Sequence, residues 1–466
     1  MATSADHAQA NFKRARDRVR FAVLAWVVFA AAIAAVTLMK RDVVTLVNQD
    51  RVIGSLIADR PESVTIRVKG ESQPADRVIP RAEIDHVSPM GERSVSDLYR
   101  RSARNWWAGR PLYSEGVTGF LYLPQAALVF SPFAVFPVKI GEVLWRWAGL
   151  FVYAWGVWRL ARLFLRDRPA DGLLLASLLA IPAAIGSAQN GQTNLVIGGL
   201  FALAAAACAQ RRFWWATLWL MLAFACKPVV IPVILLLAAV YPRMIAKLAV
   251  GAAAFALAPF VHPDPAYVLG QYQAALAKII ASAEPDHPYQ ELRGMLMDFG
   301  VQPDSWSALT LPVRDAAGAA RTVTALTLIR GAAAAAALGM SLLAARRFPG
   351  PARALFVVAV GVAYIMIFSP RTEGVTYAMI GPMVAVFAAR ETLDRRWVAA
   401  APLIVLCLLL QFSRAVTNGP NNWVRPLGTI VFAGYLCRGI VRGRFGGGAD
   451  KPDEGDTIPA APVHTA

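Results

Sequence analysis

Apolar residues along this chain come in long runs, separated by short polar stretches in which arginine and lysine predominate. The first run covers residues 21–39, directly after Lys13, Arg14, Arg16, Arg18 and Arg20. It is too long for a secretory signal and lacks a small-residue cleavage site, so it reads as an uncleaved helix with its N-terminus in the cytoplasm. Further runs at 138–160, 172–187, 192–209, 213–227, 229–242, 245–261, 321–345, 352–369, 376–389, 397–413 and 426–440 each read as one crossing, which makes about twelve with the first. The run 121–136 is interrupted by Pro124, Pro132 and Pro137 and reads as a helix at the outer membrane interface.

Two long outer loops are left, at about 40–119 and 262–320. Residues 42–87 of the first change period: Val43, Val44, Leu46, Val52, Ile53, Val64, Ile66, Val68, Val78 and Ile79 alternate with polar residues between turn formers. This predicts four or five short strands, a β-rich insert resembling a small SH3-like barrel. Helical spacing returns over 95–107, with Leu98 and Trp106 or Trp107 on one side and Arg100, Arg101 and Arg104 on another, as in an amphipathic helix on a membrane surface. The expected fold is thus an all-α polytopic membrane protein with a β-rich insert. Its segments are a basic N-terminus (1–20), the first helix (21–39), the insert (42–87), an interfacial loop (94–137), the transmembrane core (138–440) and a disordered cytoplasmic tail (446–466).

Composition agrees. Of 466 residues, 57% are hydrophobic and 17% charged, with mean hydropathy +0.47, against roughly 45–50% apolar and about 25% charged in soluble domains. The net charge of +17 does not indicate a nucleic-acid partner, because its residues cluster between apolar runs. Short loops assigned to the cytoplasm hold fourteen Lys and Arg, whereas short outer loops hold only Lys227, Arg371, Arg414 and Arg425. That asymmetry supports a multi-pass protein of the cell membrane with both termini inside. Cys208, Cys226, Cys407 and Cys437 lie in or beside apolar runs without metal-ligand spacing and read as inert thiols.

The candidate chemistry lies on the outer side: Asp97, Tyr99, Tyr113, Tyr122, Gln189, Asn190, Gln192, Asn194, Lys227, Arg371, Glu373 and Arg414. Singly, each is as readily a wetted loop tip as a site residue. Asp97 is placed to act as a general base or to cap a helix. Lys227, between two apolar runs, snorkels to headgroups or holds an anion. Arg371 pairs with Glu373 or holds an anion as well. Gln192 and Asn194 offer amides to sugar hydroxyls or cap the next helix, and the tyrosines stack on a sugar or anchor the loop. Arg146 and Arg330 fall within spans, with no acidic partner evident deep in the apolar runs.

In chain order these positions sit in Ser96-Asp97-Leu98-Tyr99, Gly109-Arg110-Pro111-Leu112-Tyr113, Tyr122-Leu123-Pro124, Gly191-Gln192-Thr193-Asn194, Lys227-Pro228 and Ser369-Pro370-Arg371-Thr372-Glu373. The series resembles glycosyltransferase family 87, a polyprenol-phosphate-mannose-dependent branch of the GT-C membrane glycosyltransferases, over most of residues 95–390. Departures are Leu123 in place of a first proline and the lack of a late histidine. The resemblance implies a GT-C fold and inverting, metal-independent transfer of a sugar, mannose or a related pentose or hexose, from a polyprenyl-phosphate donor to an outer glycan or glycolipid. It favours Asp97 as base, with Lys227, Arg371 or Arg414 at the donor phosphate and the remaining polar residues at sugar or acceptor. No cofactor or metal is called for, and no D-x-D signature of nucleotide-sugar donors is present. Two other classes stay open: a transporter or flippase for a lipid-linked or anionic solute, and an assembly component whose insert docks a partner.

Overall fold

The computed structural model describes residues 4–444 apart from 49, 70–73, 115–118, 282–287, 302–310, 315–319, 324 and 418–420. The tail at 446–466 and much of the second outer loop lie outside the described residues. Helix α1 (Ser4–Leu38) begins well before the apolar run, so the basic residues and the first span share one continuous helix. In the first outer region follow α2 (Ser96–Trp107) and α3 (Pro124–Ala134). Then come α4 (Val138–Phe164), α5 (Pro169–Asn190), α6 (Asn194–Ala209), α7 (Phe213–Cys226), α8 (Ile231–Val240) and α9 (Ile245–Leu257). The second outer loop carries α10 (Pro265–Ala281) and α11 (Leu292–Asp298). The chain continues with α12 (Ala325–Arg347), α13 (Gly350–Phe368), α14 (Gly381–Leu393), α15 (Trp397–Thr417) and α16 (Val424–Val441).

Each run read as a crossing contains a helix, because in hydrocarbon a helix satisfies its backbone groups within one segment. Among the described residues, seven helical segments can span a bilayer by length and composition, α9 being counted with the 3-10 turns on either side as Pro242–Val261, or up to eight if α3 and α4 form one broken span. Helices α6 and α7 and the segment Pro228–Val240 are apolar but shorter. The protein is therefore a mostly helical, polytopic membrane protein. The bend between α3 and α4 is 119° and falls at Pro137, which disfavours helical backbone in the residue before it. Helix α3 thus turns away from α4.

The core is built on α6, α13 and α14, which are buried on most sides. Helices α4 and α6 meet at Gly156 and Gly199. A Cβ on Gly199 would lie 2.6 Å from the Val152 carbonyl oxygen, so only glycine allows the two backbones to approach this closely. Three of the four cysteines are buried, whereas Cys437 is exposed on α16.

The insert between α1 and α2 is a five-stranded antiparallel sheet: β1 (Asp42–Leu46), β2 (Arg51–Asp59), β3 (Ser63–Lys69), β4 (Pro74–Pro80) and β5 (Ile84–Ser88), in the order β4-β3-β2-β1-β5. A 3-10 turn at Arg81–Glu83 returns the chain so that β5 pairs with β1. Val44, Val52, Val64, Ile66 and Ile79 form its own small core, as the alternation predicts. Asp42 pins the sheet to the next segment, accepting bonds from the Leu56 N–H at 2.8 Å and the Met90 N–H at 2.7 Å. In the second outer loop, β6 (Leu311–Arg314) and β7 (Ala320–Val323) form an antiparallel pair.

Candidate functional site

Helix α2 is seated on the bundle by a buried polar network. The Val95 N–H donates to the Asn190 carbonyl at 3.0 Å, and the Ser96 hydroxyl donates to the Glu142 carboxylate. Arg146 donates to Glu142 Oε2 at 2.5 Å and to Ser94 Oγ at 2.8 Å. This corrects the reading of Arg146 as a span arginine without a partner: Glu142, one turn earlier on α4, neutralises it, and both are buried. Arg330 likewise has Glu291 at 4.0 Å, supplied from the second outer loop.

Asp97 follows in the first turn of α2 and is only 3% exposed. The N-cap position belongs to Val95, with no side-chain bond, so the capping role open to Asp97 is not taken. Its carboxylate instead accepts from Ser88 Oγ of β5 at 3.0 Å, pairs with Arg100, and lies 2.9 Å from Arg101 Nε. Arg100 therefore departs from the surface pattern read in the sequence: it turns inward and is buried with Asp97.

The other side of α2 carries Tyr99. Its ring stacks on Phe130 at 4.3 Å, and its hydroxyl lies 2.8 Å from that of Tyr122. Tyr113 donates to the Tyr122 carbonyl at 2.7 Å. Burial raises the Tyr99 phenol well above its ordinary range and pushes Tyr122 up to about 12, so both stay protonated and able to donate near neutral pH.

Gly191 ends α5 in the left-handed conformation, at φ +70°, and a Cβ there would meet Ser96 Oγ at 2.9 Å and Arg146 at 3.0 Å. Only glycine closes this turn without strain. It directs the next residues toward the 3-10 segment Gly374–Met379. Gln192 Nε2 donates to Glu373 at 2.8 Å, and the Asn194 amide bonds to Gln192 and approaches Thr376 Oγ1 at 3.5 Å. The cap of α6 is Thr193 without a side-chain bond, so neither Gln192 nor Asn194 takes the capping role. Glu373 itself caps the Gly374–Met379 segment with a reciprocal Thr376 bond. Lys227 sits in extended backbone where Pro228 ends α7, half-buried, with Glu373 the carboxylate in electrostatic reach. Tyr99, Tyr122, Gln192, Asn194, Lys227 and Glu373 thus form one neighbourhood.

Glu373 also opens into a cavity of about 890 Å³ between the C-terminal ends of α1, α5 and α15 and the N-terminal end of α16. Gln189, Asn190 and Arg414 line it, together with Lys40, Arg93, Gln290 and Arg425, which the sequence reading did not select. Arg425 donates to Gln290 Oε1 at 2.5 Å and to the Leu410 carbonyl at 2.8 Å. Lys40 donates to the backbone carbonyls of Glu92 and Arg93, each at 2.8 Å. Burial, assisted by the nearby Arg146 charge, lowers the Lys40 ammonium to about 8. Val36 and Met39 give the α1 wall an apolar edge. Lys40 and Lys227 share one sequence signal, a cation directly beyond an apolar run.

Arg371 does not line this cavity. It holds a left-handed backbone at φ +59° and lies within electrostatic reach of Lys278 of α10. Among the described residues no ion pair joins it to Glu373. Asp97 and Tyr113 are also outside the cavity lining, on the α2 side of the Gly191 turn.

A polytopic helical membrane protein with a polar, cation-lined cavity at one end is the class that fold and site define. Comparison with protein families is specific: residues 120–370, more than half of the chain, match Glycosyltransferase family 87. The chain belongs to that family and is a membrane glycosyltransferase. Comparison with curated proteins and with solved structures gives no match.

Proposed function

We propose that this enzyme transfers a sugar, mannose or a related pentose or hexose, from a polyprenyl-phosphate carrier to an outer glycan or glycolipid acceptor. The transfer is inverting and needs no metal ion. Membership in a glycosyltransferase family sets the transporter reading aside. The observation that carries the donor class is the cavity: the four cations Lys40, Arg93, Arg414 and Arg425 line it against two carboxylates, Glu373 and the Arg41-paired Glu92, with the apolar Val36 and Met39 on its α1 wall. Such a space suits an anionic head on a lipid whose tail remains in the bilayer.

In the transfer, an acceptor hydroxyl oxygen attacks the anomeric carbon, the carbon–oxygen bond to phosphate breaks, and the hydroxyl proton passes to a carboxylate. Asp97 is the proposed base. For this role a hydrogen bond from Arg100 or Ser88, or the ion pair with Arg101, opens when the acceptor binds, as catalytic hydrogen bonds often rearrange on substrate binding. Lys227, with Arg414 of the cavity, stabilises the charge growing on the departing phosphate. Arg371 is a further phosphate candidate beside Lys278. Gln189, Asn190, Gln192 and Asn194 offer amides to the sugar, and Tyr99, Tyr113 and Tyr122 hold the loop that carries Asp97.

A second reading rests on one observation: Glu373 is the candidate carboxylate exposed at the cavity, and it is within reach of Lys227. It makes Glu373 the base and Asp97 a positioning residue. Transfer assays on purified enzyme with a polyprenyl-phosphate sugar distinguish them, because the base variant (Asp97→Asn or Glu373→Gln) loses turnover while the other retains most of it.

The same proposal places the protein in the cell membrane with about twelve crossings, both termini inside and the cavity outside. The charge asymmetry of the loops supports this orientation. The strand order and the 3-10 turn before β5 support a small SH3-like barrel as the form of the insert.

A further inference from the structure

The helix pair α15 and α16 frames the site cavity at one end, through Gln411, Arg414 and Arg425. At its other end it frames a second cavity, of about 970 Å³. Five arginines line this one, Arg395, Arg396, Arg438, Arg442 and Arg444, and no carboxylate does. The nearby acids are already committed. Glu391 is buried and accepts from the Tyr435 hydroxyl at 2.8 Å and from Arg444 at 2.5 Å. Asp394 lies 4.0 Å from Arg390 and 3.7 Å from Arg396.

Arg395, Arg438 and Arg442 therefore face the cavity with no carboxylate partner among the described residues. Arg395 stands in the turn before α15, in left-handed backbone at φ +57°, while Arg438 comes from the last turn of α16 and Arg442 is its C-cap residue, so the charges converge from two elements. Apolar surface meets them: Trp397, Val398 and Val431 line the same cavity and are 58%, 92% and 53% exposed. Gly434 lines it too, and a Cβ added there would touch nothing within 4 Å, so the groove is open at that point.

We propose that this groove binds an anionic phospholipid, its phosphate between Arg395, Arg438 and Arg442 and an acyl chain along Val398 and Val431. Arginines that serve only as orientation signals have no need to share an apolar groove. Here fixed guanidinium charge lies beside hydrocarbon-facing surface, the pairing that a phospholipid complements with both halves of its structure. The inference rests on the chain being a multi-pass membrane protein and is independent of the sugar, the acceptor and the identity of the base.

The test uses full-length protein purified in detergent and stripped of lipid. Phosphatidylglycerol is added, with phosphatidylcholine and inorganic phosphate as separate arms, and binding is followed by native mass spectrometry and by thermal midpoint. The expected result is retention of phosphatidylglycerol and a raised midpoint, with neither effect from phosphatidylcholine or inorganic phosphate at equal concentration. The triple variant R395Q/R438Q/R442Q is expected to lose at least tenfold in apparent affinity. Gly434→Leu, which fills the groove without changing charge, is expected to weaken binding as well, and it decides the matter if the triple variant does not fold. Equal retention of phosphatidylglycerol by wild type and Gly434→Leu, or equal effects of inorganic phosphate and lipid, overturns the proposal.

Discussion

Asp97 and Glu373 lie on either side of the Gly191 turn and are held in opposite ways. Asp97 is buried, with two arginines and a serine on its carboxylate. Glu373 is exposed at a cavity, its carboxylate accepting from the Gln192 amide and from the Thr376 N–H that it caps, and it faces a lysine. A carboxylate already holding cations is well oriented but must exchange a partner before it takes a proton. An exposed one is free to act but less constrained. The difference separates orientation from availability, two requirements on a general base that a motif cannot distinguish.

The largest expected effect breaks the comparison outright. Asp97→Asn should lower turnover by about 10²–10⁴-fold, the range for loss of a general base, with the fold verified by gel filtration and circular dichroism. If Glu373→Gln shows that loss and Asp97→Asn does not, the base role moves to Glu373. Next, Lys227→Met should reduce kcat/KM for the lipid-linked donor by roughly 10–100-fold, as expected when one charge-assisted bond worth about 1.5–3 kcal/mol is lost. Little change would place Lys227 at the headgroups instead.

The cavity side also predicts a pH dependence. Lys40 carries its charge below about 8 and loses it as the pH rises through that value. Donor KM should therefore rise by a few fold between about pH 7 and 9 in the wild type and stay flatter in Lys40→Met. The stability consequence has the opposite sense. The folded-state value lies below the ordinary 10.5, so the folded state binds this proton more weakly than the unfolded chain. Lys40 thus destabilises the fold while charged, and that cost is relieved as the pH climbs from about 8 toward 10.5.

Gly191 joins the two sides, and Gly191→Ala should lower stability by about 1–2 kcal/mol through its left-handed backbone alone. The close contacts with Ser96 and Arg146 add to this, and chemical denaturation measures the sum. The smallest effect is expected from Ser88→Ala, which removes one of the bonds on Asp97 at about 1 kcal/mol or less. If Asp97 is the base, that variant should also shift the acidic limb of the pH–rate profile, a change that a purely structural role would not produce.

Much of the architecture was legible because its causes are local. The apolar runs became helices whose ends agree with the expected bounds to within a few residues at most positions, Pro124, Pro132 and Pro137 set the run 121–136 apart from the crossings, and the alternation over 42–87, read as four or five strands, became a five-stranded sheet. The site was legible in part. Gln192 and Asn194 drew notice as amides near a glycine, and Lys227 as a charge between apolar runs. Arg425 was counted only as an outer-loop cation, and Gln290 was overlooked, because their significance arises from each other: they bond across 135 positions of sequence.

Arg146 illustrates the same limit at short range. Glu142 lies four residues earlier, yet its pairing also depends on Ser94 and Ser96, which the start of α2 brings over the N-terminal end of α4. Period, proline and charge asymmetry act within a turn or a loop, so the sequence by itself determined which segments are helices, which are strands and which way the chain is expected to thread the bilayer. Tertiary structure decided which polar groups meet. It closed Asp97 between two arginines, opened Glu373 to a cavity, and gathered Lys40, Arg414 and Arg425 around one space. The physical reason is that a buried polar group takes its partner from whichever element packs against it, and in this bundle that element is often more than a hundred residues away.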